Sequence, residues 1–282
     1  MNYRHAFHAG GFADVVKHAV LARILVHLRA KAAAFRVLDT HAGGGVYDLA
    51  GAEAARSGEW HSGIERLLQA QLKTAVRGML APYLDAIASF NPDQRLVTYP
   101  GSPALIRCWL RSQDRLTACE LESNAAAALA VALRGDPRVK AVAIDGWMAL
   151  NAYVPPKERR GLVLVDPPYE RADESARLIS GLEAAYRKWR TGVYALWYPI
   201  KDRDIADALA RGLRGLDIRK ILRAELNVSR PRGRGRLNGC GLLMVNPPWR
   251  LAKELATLLP QLAAVLGRDG EGSFRLDWLA GE

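Results

Sequence analysis

Short apolar runs of strand character recur along the chain with helical stretches between most of them, an alternation that few folds accommodate. The runs lie at residues 35–38, 116–119, 139–144, 162–165, 193–197, 218–228 and 242–245. Strands kept apart by helices pair in parallel, so the pattern predicts an α/β fold: a mostly parallel sheet with helices on both faces. The last two runs are joined by an Arg- and Gly-rich segment without helical periodicity, which predicts an antiparallel hairpin at one edge of a seven-stranded sheet. Ligands of such sheets bind beyond the carboxyl ends of the parallel strands, so the chemical residues should stand just after strands.

Ahead of the first run, residues 13–31 place Val16, Val20, Leu21, Ile24 and Leu28 at helical spacing and predict an amphipathic helix with a basic outer face. Residues 50–95 carry helical patterns at 63–72 and 75–90 where a doubly wound fold normally has one short connection. They predict a helical subdomain inserted into a core made of residues 1–49 and 96–282.

The formal net charge is +11 and the isoelectric point near 9.8, an excess that suits a polyanionic partner such as nucleic acid. It is clustered: residues 211–236 hold nine Lys or Arg against Asp217 and Glu225. Within that window Arg230, Arg232, Arg234 and Arg236 alternate with Pro and Gly, as a loop able to mould itself to phosphates without reading sequence. Cys108, Cys119 and Cys240 are far apart and odd in number, so neither a disulfide framework nor a zinc site is expected. No apolar run reaches the roughly 18 residues of a membrane span, and no basic-then-apolar leader is visible. A protein of the reducing cytoplasm, away from membranes, is the expectation.

Asp166-Pro167-Pro168-Tyr169 follows the buried-looking run 161–165, at the expected carboxyl end of a strand. The exocyclic amine of adenine is a weak nucleophile because its lone pair is delocalised into the ring; acceptors for its protons localise that pair. Asp166 offers a carboxylate, Pro167 a carbonyl in a turn of fixed φ, and Tyr169 an aromatic face for a base taken out of its stack. A second turn of this shape, Asn246-Pro247-Pro248-Trp249, follows the run at the antiparallel edge, which would point it away from those carboxyl ends; a structural role is expected.

Asp39-Thr40-His41-Ala42-Gly43-Gly44-Gly45 puts a glycine-rich turn after the first strand, where a backbone can approach a nucleoside cofactor closely. Nicotinamide and flavin dinucleotides use similar turns, so the turn alone leaves the cofactor open. Glu120 ends the next strand of the core and suits the ribose hydroxyls; Asp145-Gly146 ends the one after and suits an adenine edge. Ser102-Pro103 reads as an N-cap and first helical residue of a helix over 102–110, whose free amides would also suit a carboxylate. Five of the six histidines lie in the first 41 residues, but no acidic or Cys ligands accompany His5 and His8 in a metal-binding spacing, and no metal is expected.

The segments Tyr3-Arg4-His5-Ala6-Phe7-His8-Ala9-Gly10, Ala13-Asp14-Val15-Val16-Lys17-His18, Asp39-Thr40-His41-Ala42-Gly43, Tyr99-Pro100-Gly101-Ser102-Pro103 and Asp166-Pro167-Pro168-Tyr169 closely resemble the ribosomal RNA large-subunit methyltransferase J family, nearly end to end. The resemblance implies a Rossmann-like class I S-adenosylmethionine-dependent methyltransferase core with a helical insertion, acting on N6 of one adenine, position 2030, of 23S ribosomal RNA. It further implies cofactor contacts from Lys17, His18, His41, Gly43, Ser102, Glu120, Asp145, Gly146 and Asp166, with Asp166 as the catalytic acceptor and Tyr3 meeting the RNA. Arg4, His5 and the Arg-rich loop are expected to join Tyr3 there.

The sequence thus leads to in-line transfer of a methyl group from S-adenosylmethionine to adenine N6 by a monomer that uses no metal. Sequence-specific RNA readers favour unpaired bases, so the substrate is expected to be naked or early-assembly rRNA. The chemistry is blind to the sugar, which leaves a DNA adenine methyltransferase open, and a non-catalytic RNA-binding protein on this fold is the alternative of another class.

Overall fold

The computed structural model describes residues 4–201, 203–230, 235 and 237–281. Its strands are β1 (Arg36–Asp39), β2 (Val46–Asp48), β3 (Thr98–Pro100), β4 (Arg115–Glu120), β5 (Val139–Ala143), β6 (Gly161–Val165), β7 (Val193–Ile200), β8 (Ile221–Asn227), β9 (Gly239–Val245) and β10 (Ser273–Ala280). The helices are α1 (Phe12–Arg29), α2 (Ala52–Ser57), α3 (Ile64–Gln69), α4 (Thr74–Ser89), α5 (Ser102–Trp109), α6 (Ser123–Ala132), α7 (Gly146–Tyr153), α8 (Glu174–Lys188), α9 (Asp204–Arg214) and α10 (Leu251–Leu266).

The main sheet runs β10-β8-β9-β7-β6-β1-β4-β5. From β7 to β5 the strands are parallel, whereas β9 is antiparallel to β7 and to β8. It therefore has eight strands, not the seven expected, and the β8–β9 hairpin sits one strand in from the edge. The missed strand, β10, pairs antiparallel with β8 and carries exposed or half-buried side chains over most of its length, including Arg275 and Asp277. β10 is as long as β7, but its Phe274, Leu276 and Trp278 alternate with Arg275 and Asp277 instead of forming the continuous apolar run by which the others are found. Arg223, buried in β8, holds β10 in place through two hydrogen bonds to Asp277, at 2.8 and 2.6 Å. One of the nine cations counted in the basic window therefore belongs to the sheet rather than to a surface.

The chain leaves β1 for β4 and β5 on one side and returns to β6 and β7 on the other, so the direction of progression reverses next to β1. Such a switch point opens a crevice between the strand ends. Two apolar clusters cover the faces: one under α1, α4, α5 and α10, the other under α7, α8 and α9. α1 is not amphipathic as expected. Its Asp14, Lys17, His18 and Arg23 are buried with its apolar residues, because α4, α5 and α10 pack around it and the sheet closes the remaining side. Residues 52–89 form α2, α3 and α4, and β2 and β3 pair antiparallel at the two ends of that segment.

Candidate active site

The crevice at the carboxyl ends of β1, β4 and β6 is a cavity of about 460 Å³, within the size range of nucleoside-cofactor sites. Its floor is the turn after β1. Gly43 (φ +63°) and Gly45 (φ +84°) adopt left-handed conformations there, and a Cβ on Gly43 would lie 2.2 Å from the Tyr47 hydroxyl. That hydroxyl accepts the Gly44 amide at 3.0 Å, which fixes the turn. Glu120 closes it from β4: one carboxylate oxygen accepts the Gly43 amide and the other the amides of Leu121 and Glu122, each at 2.8 Å. The oxygen facing Gly43 keeps a lone pair for a ligand hydroxyl.

α1 supplies a buried charge relay. Lys17 Nζ donates to Asp166 Oδ2 at 2.5 Å and lies 2.9 Å from Asp14 Oδ1. Asp14 Oδ2 in turn takes the Gly10 amide and pairs with His5 Nε2, both at 3.0 Å. Burial works against both charges, but pairing prevails: Asp14 and Asp166 hold Lys17 well above the ordinary lysine pKa, and His5 with Lys17 holds Asp14 well below the usual carboxylate range. The other Asp166 oxygen and the Pro167 carbonyl accept no hydrogen bond among the described residues, so both are available to an incoming amine.

Behind the cavity wall, Ser102 donates its hydroxyl to Asp39 Oδ2 at 2.7 Å, leaving Asp39 Oδ1 buried without a partner. Burial raises the Asp39 pKa to about 7 against the lowering effect of Ser102. Ser102 is therefore not the N-cap expected. Gly101 occupies that position, and Ser102 is the first residue of α5, its side chain turned toward β1.

Of the residues expected at the cofactor, Lys17, His41, Gly43, Ser102, Glu120 and Asp166 line the cavity, joined by Arg4 and His5, which had been assigned to RNA. His18, Asp145 and Gly146 do not. His18 is fully buried, bonded through Nδ1 to the Tyr99 hydroxyl at 2.7 Å, and burial lowers its pKa to about 3. Asp145 caps α7 by accepting the Trp147 and Met148 amides, and Gly146 packs so closely that a Cβ would lie 2.4 Å from the Thr40 carbonyl. These two hold α7 against the His41 turn. Within the Asp-Pro-Pro-Tyr turn the lining residues are Asp166 and Pro168; Pro167 is buried, and Tyr169 (φ +51°) donates its hydroxyl to the Trp197 carbonyl at 3.2 Å. Its half-buried ring lies edge-on to Trp197, outside the cavity. Asp14, Asp39 and Tyr47 were not assigned from sequence, although Asp14 stands one helical turn before Lys17 and Asp39 ends β1.

Tyr3, Arg232, Arg234 and Arg236 lie outside the described residues. Arg230 is exposed, and the base of its loop stands at the carboxyl end of β7, where the Asn238 amide bonds to the Ile200 carbonyl at 2.9 Å. Asn246 stands at the opposite end of the sheet, its side-chain amide held by the Arg190 and Gly192 carbonyls at 2.7 and 2.8 Å. No group of three or more His, Cys, Asp or Glu able to hold a metal occurs among the described residues, nor does any of their helices have the length and apolarity to cross a membrane.

A family model described as ribosomal RNA large subunit methyltransferase D, RlmJ, matches residues 32–280. Proteins called ribosomal RNA large subunit methyltransferase J from Escherichia coli (strain K12) and Haemophilus influenzae (strain Rd) are each 38% identical to the chain, with all of both chains covered. The crystal structure of a Legionella pneumophila protein superposes with a TM-score of 0.88 at 34% identity, covering 96% of this chain and 98% of that one.

Proposed function

The chain belongs to the ribosomal RNA large subunit methyltransferase J family, and on that premise we propose that it methylates N6 of one adenine in 23S ribosomal RNA with S-adenosylmethionine. The observation that carries this reading is the position of Asp166, which lines a glycine-floored, acid-lined cavity with one carboxylate oxygen that accepts no hydrogen bond among the described residues. The residues present fit the cofactor. Gly43 holds the left-handed floor turn against Tyr47, Glu120 keeps an acceptor for ribose hydroxyls, and the first backbone amides of α5 suit a carboxylate. When bound, S-adenosylmethionine supplies an electrophilic methyl group on a sulfonium.

The chain's own part is to prepare the amine. Asp166 and the Pro167 carbonyl accept hydrogen bonds from the two N6–H groups, which draws the lone pair out of conjugation and aims it at the methyl carbon; after transfer one N6 proton is released, by way of Asp166 or directly to solvent. Lys17 fixes the Asp166 carboxylate from behind, so that the oxygen left over is the one the amine meets. Tyr169, fixed to Trp197, offers its ring to the extruded base from outside the cavity. Arg4 and His5 at the cavity mouth, Tyr3 before them and the loop of Arg230, Arg232, Arg234 and Arg236 are assigned to the RNA backbone. The enzyme acts in the cytoplasm as a monomer, its core formed by residues 1–49 and 96–282 and its helical insertion by 50–95.

Transfer of labelled methyl to unmodified 23S rRNA, followed by nucleoside analysis and mapping, tests the reading. Label in N6-methyladenine at one adenine is expected. Label in another nucleoside, transfer to matched DNA but not RNA, or activity on assembled subunits alone would each overturn part of it.

A further inference from the structure

The Asn246-Pro247-Pro248-Trp249 turn takes no part in the site described above, and it builds a feature of its own. Trp249 is 85% exposed, the largest exposure among the large hydrophobic side chains of the described residues. The turn that displays it is tightly fixed. Asn246 adopts φ +50°, its side-chain amide is held by the Arg190 and Gly192 carbonyls, and its backbone amide donates to the Lys220 carbonyl at 3.1 Å. Two prolines then restrict the chain up to the indole. A large aromatic left in water on a rigid turn gains nothing for the fold and is already ordered for a partner.

The surroundings select the partner. Segments 187–192, 218–221 and 245–253 meet here and carry seven Lys or Arg; of the nearest acids, Glu183 pairs with Arg187, Glu254 is bonded to Arg23 and His27, and Asp217 precedes Ile218. Arg190, Arg219, Lys220 and Arg250 are all exposed, and the Arg250 guanidinium lies 5.1 Å from the Trp249 ring centroid. An aromatic face framed by cations matches a base beside its phosphates; a protein partner would call for a broader apolar area than one indole.

We propose that Trp249 and its cationic frame form a second RNA-docking surface, on which an unpaired nucleotide stacks while Arg190, Arg219, Lys220 and Arg250 engage its flanking phosphates. The inference rests on the reading of the chain as an RNA enzyme. The surface lies at the opposite end of the sheet from Asp166: Val165 pairs with Leu196 and Val245 with Tyr194, so about four residues of β7 separate the two turns, on the order of 13 Å along the strand. Only an RNA large enough to wrap around the domain can reach both ends, so the surface selects for an extended rRNA region rather than for the target base alone.

The test compares Trp249→Ala and the double variant Arg190→Gln, Arg250→Gln with the unchanged protein. Each is measured on a long unmodified 23S fragment and on a short hairpin holding only the mapped target adenine. Affinity for the long fragment should fall about tenfold with Trp249→Ala, the loss of one stacked base. In transfer assays KM for that fragment should rise and kcat stay constant, while the hairpin is handled equally by all three proteins. The double variant should flatten the slope of log affinity against log salt by between one and two.

Unchanged affinity and salt slope on the long fragment would overturn the proposal and assign the indole to a protein partner. An equal loss on both RNAs would overturn it as well, in favour of a general structural role. If the unchanged protein bound the long fragment through Trp249 but transferred no methyl group, the methylation reading would fail while this surface stood.

Discussion

Lys17 places one ammonium between two carboxylates, 2.5 Å from Asp166 Oδ2 and 2.9 Å from Asp14 Oδ1, with no more than 5% of its side chain exposed. A cation in this position orders the Asp166 carboxylate and offsets the cost of burying Asp14. Replacing Lys17 by Met removes the charge but keeps the volume, leaving Asp14 buried beside a second acid. Urea unfolding should show a loss of about 3–5 kcal/mol, the usual result of removing one partner of a buried pair. Adding Asp14→Asn to Lys17→Met should recover part of that loss, and a double variant less stable than the single one would contradict the pairing.

Asp166→Asn preserves shape and removes the charge. Its amide is a poorer acceptor for the adenine amine and no longer pairs with the Lys17 ammonium. Single-turnover methyl transfer should fall by about 100-fold or more, as for loss of a catalytic proton acceptor, with RNA affinity within about twofold of the parent. Near-normal transfer would remove Asp166 from the chemistry.

The parallel strands and the position of the Asp-Pro-Pro-Tyr turn were legible because both leave local marks: apolar runs at regular intervals, and Asp-Pro-Pro-Tyr directly after one of them. β10 left no such mark, since its place depends on Arg223 reaching Asp277 across 54 positions of sequence. The side-chain partners of His18 and Asp145 were not legible for a related reason. A polar residue near a strand end reads the same whether it faces a ligand, a buried tyrosine or the first amides of a helix, and only packing separates these cases. α1 was read as amphipathic because the partners of its polar side, Asp166, Tyr99 and Glu254, come from distant segments.

Gly146 and Gly78 make a matched pair. A Cβ on Gly146 would lie 2.4 Å from the Thr40 carbonyl and 2.6 Å from His41 Cε1, whereas a Cβ on Gly78, inside α4, meets nothing within 4 Å. Gly146→Ala should cost about 1–3 kcal/mol of stability, the usual range for overpacking. By displacing the His41 turn it should also weaken cofactor binding, read by calorimetry. Gly78→Ala should stabilise by about 0.5–1 kcal/mol through helix propensity and leave cofactor binding unchanged. Equal behaviour of the two variants would show that α7 can move away from the turn freely.

Between pH 5 and 6 three buried groups, His18, His41 and Asp39, set the pH dependence of stability, and their signs differ. Burial lowers the pKa of His18 from 6.5 to about 3 and that of His41 from 6.5 to about 4. Each therefore contributes stability that is complete above the unfolded value and is lost as pH falls from 6.5 toward the folded one. Asp39 runs the other way. Burial raises it to about 7 from 3.8, so between those values the folded state holds a proton that the unfolded state has released, and stability falls as pH rises. Between pH 5 and 6 the two histidines outvote the one acid. Unfolding takes up one net proton, and stability should rise by about 1.4 kcal/mol per pH unit. Asp39→Asn removes the opposing group and keeps an acceptor for Ser102, so the slope should steepen to about 2.7 kcal/mol per unit in urea titrations across that window. An unaltered slope would mean that Asp39 is ionised in the folded protein, and a flat one in both proteins would mean that His18 and His41 titrate as they do in the unfolded chain.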